Sequence, residues 1–192
     1  MLMFLLSMGC MPAMDPSSSD AAHDPEDCSW QAPENTWEQS TPPDCLEAQG
    51  LEEGQVVPDM RLVDQHGDTV SLWQFYGELI LLDFSTMWGA QMWPEEIAVI
   101  GAEYADAGLM PVSVLFEDVY GEVPDAESLQ YWAELTGVQG PVLADDADYA
   151  SMLGVDVAWP RLLLIDQDLT VVEENIPWHQ QDMIRLSIEA HL

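Results

Sequence analysis

The chain contains no lysine and only three arginines, Arg61, Arg161 and Arg185, against 36 aspartates and glutamates, for a formal net charge of -33 over 192 residues. Neutralising phosphates takes a clustered basic patch, so nucleic acid is excluded as a partner, and a bare anionic membrane surface repels the chain as well. Acidity of this kind reports on surroundings rather than on fold, and it suits a salty or exported setting. Cysteine is equally scarce. Cys10, Cys28 and Cys45 all lie in the first quarter, and everything beyond Gly50 lacks a thiol. His23, His66 and His191 show no ligand spacing, and neither a phosphate loop nor a Ser and His constellation is present, so no metal and no cofactor are expected. What the chain does have is apolar content, 48% of its residues, which is enough for one medium-sized domain with a proper core plus an appendage of a few tens of residues.

Met1 to Gly9 (MLMFLLSMG) is a short apolar run ending in a small residue before Cys10, followed by the polar stretch MPAMDPSSSD. The pattern resembles a bacterial lipoprotein signal, which implies removal of residues 1–9, lipidation of Cys10 and a membrane-anchored protein of the cell envelope, facing the periplasm or the exterior. A plain secretory signal or an unprocessed apolar terminus is the alternative, and the run is too short to span a bilayer as a helix. Residues 10–50 turn to Pro, Ser, Asp, Glu and Gln without apolar periodicity, the composition of a linker. With Cys10 lipidated, Cys28 and Cys45 form an even pair in an oxidising compartment, and a disulfide between them is the simplest pairing. Trp30 and Trp37 fall inside that loop and can pack it onto the domain.

From residue 51 to 192 the chain alternates short apolar runs with helical periodicity, the pattern of an α/β domain. A hairpin is expected from Met60 to Leu72 about His66-Gly67-Asp68, then a buried strand over Glu78 to Phe84. Pro94 opens a helix to about Ala107, stopped by Gly108, and Leu109 to Phe116 reads as a second buried strand. Asp125 caps a helix whose Leu129, Trp132 and Leu135 share a face, closed by Gly137. A strand at Pro141 to Leu143, a short helix at Tyr149 to Leu153, a hairpin joining Arg161–Ile165 to Leu169–Val172, and a helix over Met183 to Leu192 complete the order.

Three segments together, GQVVPDMRLVDQHGDTVSLWQF, LLDFSTMWGAQMWPEE and VLADDADYASMLGVDVAWPRLLLIDQDLTVV, resemble the thioredoxin superfamily from about Gly54 to the end. Within it they are similar to the membrane-tethered thioredoxin-like proteins and the AhpC/TSA-related redoxins. The resemblance implies a three-layer α/β/α sandwich with a central mixed sheet and an amino-terminal hairpin. It also places Pro160, after Trp159, at the family's cis-proline.

In redox-active members a thiolate at the start of the first long helix attacks a disulfide and a second Cys resolves the product. Here Trp88 matches the Trp before that motif, Gly89 falls at the attacking Cys and Met92 at the resolving one. Neither side chain is a nucleophile, so dithiol exchange by the family's route is unavailable, and the peroxidatic variant, with Thr86 retained, fails at Gly89 too. Asp83 stands where thioredoxins keep a buried carboxylate, and burial would raise its pKa. Met87 and Met92 are soft donors, but copper-delivery relatives use Cys pairs and a placed His, and His179 is not at that position.

The resemblance leaves a binding face made of Trp88, Met92, Trp93, Trp159 and Pro160. Its expected occupant is a protein, a peptide or a small hydrophobic ligand. Two alternatives stand beside it: Cys28 and Cys45 supply the missing thiols, making the chain an oxidoreductase, or the domain is a structural part of an envelope complex.

Overall fold

A computed structural model describes residues 28–88, 94–154 and 159–192. The expectations for Cys10, Gly89, Met92 and Trp93, together with the signal segment, fall on residues outside these.

Among the described residues seven strands form one mixed sheet in the order β2-β1-β5-β4-β3-β6-β7. The hairpin is β1 (Arg61–Asp64) and β2 (Thr69–Ser71), and a 3-10 turn over Leu72–Phe75 follows it. β3 (Leu79–Thr86), a nearly unbroken apolar run, is buried along its whole length and pairs parallel to β4 (Leu109–Glu117) and antiparallel to β6 (Arg161–Ile165). Between β3 and β4 lies helix α1 (Pro94–Tyr104), whose chain tightens into a 3-10 turn and ends at Gly108 with a left-handed φ of 92°. Helix α2 (Ala126–Thr136) starts where Asp125 accepts the Ser128 amide and ends at Gly137, as the sequence indicates. β5 (Val142–Ala144), a 3-10 helix over Tyr149–Leu153, β7 (Val171–Ile176) and helix α3 (Gln181–His191) complete the chain.

Two expectations shift. Leu135 is 53% exposed, and Thr136 takes the buried place on α2 beside Leu129 and Trp132. Leu169 lies outside β7 because it turns with φ 64°, which lets its side chain enter the core while the strand begins at Val171.

Alternation along β3 divides the core. Leu79 and Leu81 face Ile97 and Ile100 of α1 and Ile184 and Ile188 of α3, while Leu115 and Val142 on the same side meet Leu129 and Trp132 of α2. All three α-helices among the described residues therefore share one face. Ile80, Leu82 and Phe84 point the other way, against Val112, Val114, Leu163 and Ile165. Each such side chain, fully buried, contributes roughly 1.5–3 kcal/mol.

The thioredoxin-like sandwich is thus present, with a difference in how its second outer layer is made. That layer consists of the 3-10 turns with Leu72, Trp73, Phe75 and Ala150, and of the amino-terminal extension, whose Leu51 is buried and whose Trp30, Trp37 and Leu46 pack on the same cluster. The extension crosses the sheet from edge to edge. At the β2 edge Asn35 donates to the Thr69 carbonyl at 2.8 Å and Trp37 Nε1 to Asp64 at 2.7 Å, and at the β7 edge the Gly54 and Val57 amides donate to the Val171 and Leu169 carbonyls. From Cys28 onward the segment read as a linker is accordingly a docked layer of the domain.

Close packing on the helical side also demands a glycine. A Cβ on Gly140 would collide with the Pro111 carbonyl where the chain enters β5.

Candidate functional site

The carboxyl ends of β3 and β4 and the chain entering β6 converge at one end of the sheet. Phe84 of β3 stands opposite Arg161 of β6, so the Trp159-Pro160 peptide, which is cis, lies beside the end of β3. Trp159 is half-buried on the core cluster and meets the Phe116 ring at 4.5 Å between centroids. The aromatic pair fixes the floor of this end of the sheet.

Trp88 behaves differently. It lies two residues beyond the end of β3, is 56% exposed, and its Nε1 donates to Glu117 Oε2 at 2.7 Å. Thr86 and Glu117 are partners in the β3–β4 ladder, so the backbone register places the carboxylate beside the indole. An exposed aromatic held by a charged acceptor is pre-oriented for a partner, since little rotamer freedom remains to be lost on contact. Of the expected binding face, Trp88, Trp159 and Pro160 are thus brought to one end of the sheet. Glu117 and Phe116 were missed by sequence reasoning. Their only signal is their place at the end of a strand next to β3.

Asp83 lies on the helical face of β3 between its ladder neighbours Leu162 and Ser113, 4% exposed, and its Oδ1 has no hydrogen-bond partner. Desolvation raises its pKa from 3.8 to about 7. The carboxyl is thus half-neutral near physiological pH. It sits five residues before Trp88, beneath the start of the site, where a proton can be held but where no described residue offers a thiol to receive it.

Cys28 and Cys45 are joined in a disulfide with their Cα atoms 5.0 Å apart, and both residues are exposed. Just beyond each cysteine the chain is pinned. Trp30 Nε1 donates to Asp59, Arg61 pairs with Asp59 at 2.8 Å and lies 5.7 Å from the Trp30 ring centroid, its other arm donates to the Gln31 carbonyl, and Leu46 packs on the core. The loop is therefore a clasp on the extension and not a free arm.

Elsewhere, a groove of about 590 Å³ lies at the opposite end of the sheet, among Glu78, Gly108, Leu109 and Pro111, where β3 and β4 begin. It shares no residue with the aromatic site. Among the described residues no group of three or more His, Cys, Asp or Glu is arranged to hold a metal ion, and no helix is long and apolar enough to cross a membrane.

Comparison with solved structures places the chain among thioredoxin folds. A thiol:disulfide interchange protein from Bacteroides sp. is 20% identical, with 73% of this chain and 90% of that one covered at a TM-score of 0.58. The thioredoxin domain of a thiol-disulfide oxidoreductase from Bacteroides vulgatus is 19% identical, covering 74% and 100% at 0.59. A thioredoxin family thiol:disulfide interchange protein from Chlorobium tepidum is 13% identical, covering 76% and 99% at 0.57. At these identities the likeness carries the fold alone. No curated protein matches the chain. The AhpC/TSA family profile matches residues 54–174, from the segment that docks on β7 into β7 itself, and the chain belongs to the AhpC/TSA family of thioredoxin-like redoxins.

Proposed function

We propose that this chain is an exported redoxin of the bacterial envelope, anchored by lipid at Cys10, whose thioredoxin-like domain binds a protein, a peptide or a small hydrophobic ligand in place of dithiol chemistry. The observation that carries this reading is Trp88, 56% exposed and held by Glu117 at the end of β3, beside the Trp159-Pro160 loop. An aromatic in that place serves contact. The residues that follow it, Gly89 and Met92 at the two positions where the family's chemistry needs thiols, serve no exchange.

Insulin reduction driven by dithiothreitol tests the loss. The Cys10→Ser protein is expected to match the uncatalysed rate, and Gly89→Cys with Met92→Cys to exceed it by at least about tenfold, because a thiolate at a helix start is activated there. An active parent protein would contradict the reading, and an inert double variant would contradict the assignment of positions 89 and 92.

One observation favours a second reading. Both cysteines of the Cys28–Cys45 disulfide are exposed, and an accessible disulfide can exchange with an incoming thiolate, which would make the chain an oxidoreductase with a relocated dithiol.

A further inference from the structure

The loop after β4 extends the aromatic end of the sheet. Glu117, which holds Trp88, passes directly into a turn whose Asp118 amide donates to the Glu122 carbonyl at 2.7 Å. The Asp118 side chain accepts the Tyr120 amide at 2.7 Å and the Glu122 amide at 3.0 Å. So fixed, the turn presents Val119 (61% exposed), Tyr120 (86%) and Val123 (49%) to solvent. A pre-folded turn carrying an aromatic tip loses little freedom on contact, which is what distinguishes a docking element from an incidental apolar residue.

Apart from Arg161 at the start of β6, the charges at this end of the sheet are acidic. Glu117, Asp118, Glu122 and Asp125 lie within nine residues of chain, and Asp146 and Asp148 stand exposed beyond the end of the neighbouring β5. The three arginines are all engaged: Arg61 with Asp59, Arg185 with Glu103, and Arg161 with the Glu174 carbonyl. No lysine exists in the chain. An acidic rim of this kind attracts cations and repels anionic partners.

We infer that Trp88, Val119, Tyr120 and Val123 form a docking surface for a cationic, apolar polypeptide segment, one that alternates Lys or Arg with large apolar side chains. The inference rests on the binding reading of this end of the sheet and names the class of its occupant. The apolar side chains meet the exposed aromatic and valine surface, and the cations meet Glu117, Glu122 and their neighbours.

Fluorescence anisotropy with three labelled octapeptides tests it, alternating Leu with Lys, with Gln or with Glu, on the Cys10→Ser protein at 50 and 300 mM NaCl. The Lys peptide is expected to bind at least about tenfold more tightly than the Gln peptide at low salt and to lose most of that margin at high salt, while the Glu peptide does not bind. Tyr120→Ser with Val123→Ser leaves the net charge unchanged and is expected to weaken the Lys peptide about tenfold. Tyr131→Ser with Leu135→Ser, equally apolar exposed positions on α2, is expected to leave it unchanged. If both pairs behave alike, the peptide is following net charge and the docking surface is refuted. If the Gln peptide binds as well as the Lys peptide and both are lost in the Tyr120 and Val123 variant, the cationic class is wrong while the binding reading stands. If no peptide binds, the inference falls, and the broader binding reading rests on its protein and small-ligand branches.

Discussion

Replacing Asp83 by Asn is expected to stabilise the protein by about 4 kcal/mol at pH 8 and to change it little at pH 4. The carboxyl is buried with Oδ1 unpartnered, and desolvation lifts its folded pKa from 3.8 to about 7. In the unfolded chain the group ionises near 3.8, so between that value and 7 the folded state holds more protons than the unfolded one. Stability from this group therefore falls as pH rises through that window and is level above it. Three pKa units correspond to roughly 4 kcal/mol. Asn cannot ionise, so the difference between the two proteins should open across the window, read as the urea midpoint at half-unit steps of pH. A constant offset at every pH would show that Asp83 titrates alike in the folded and unfolded states. The comparison between variants also cancels the mutual repulsion of the other carboxylates, which moves both curves together.

The second large effect belongs to the clasp. Cys28→Ser with Cys45→Ser is expected to cost roughly 3 kcal/mol, the chain-entropy value for a cross-link spanning 17 residues. The loss should appear as a lower urea midpoint with the slope nearly unchanged, because the extension is also held by Trp30, Trp37, Leu46 and Leu51 and stays docked in the native state. A variant as stable as its parent would mean that those contacts alone hold the layer. A steep fall in the slope would mean that the extension detaches and takes its own buried surface out of the cooperative unit.

These two residues sets differ in how readily the sequence discloses them. The central strands declare themselves: ELILLDF is too apolar and too short to be anything but a buried strand, and Gly108 and Gly137 close the helices with the left-handed turns that only glycine adopts easily. Asp83 stands out for the same reason, as a charge inside an apolar run. The extension does not. Its anchors, Trp30, Trp37, Leu46 and Leu51, recur at neither 2 nor 3.6 residues, because irregular chain laid across a sheet has no period to display. Its polar residues, moreover, are there to bond the domain: Asn35 meets Gln74 at 3.0 Å and Trp37 meets Asp64, contacts spanning nearly thirty residues or more of sequence.

At the candidate site the residue types were legible and their fates were not. Trp88 and Trp159 carry the same side chain, yet one is exposed and the other packs on Phe116. What separates them is the register of β3 on β4, which sets Glu117 beside Trp88, and the place of Phe116 near the end of β4, against which Trp159 packs. Both depend on neighbours distant in sequence. The same holds for Tyr120, whose role as a prominent tip follows from Asp118 folding the turn beneath it.

The central claim is that this redoxin has given up thiol exchange for binding, and the reduction potential of Cys28–Cys45 tests it most directly. The Cys10→Ser protein would be equilibrated in graded glutathione buffers and its alkylated thiols counted by mass. Docking of the chain just beyond each cysteine, at Trp30 and Leu46, keeps the two thiols together once reduced, which favours closure, and a potential below about -300 mV is expected, the range of a structural disulfide. A potential near about -200 mV, with exchange onto a test disulfide, would contradict the account and make the chain an oxidoreductase working from its extension.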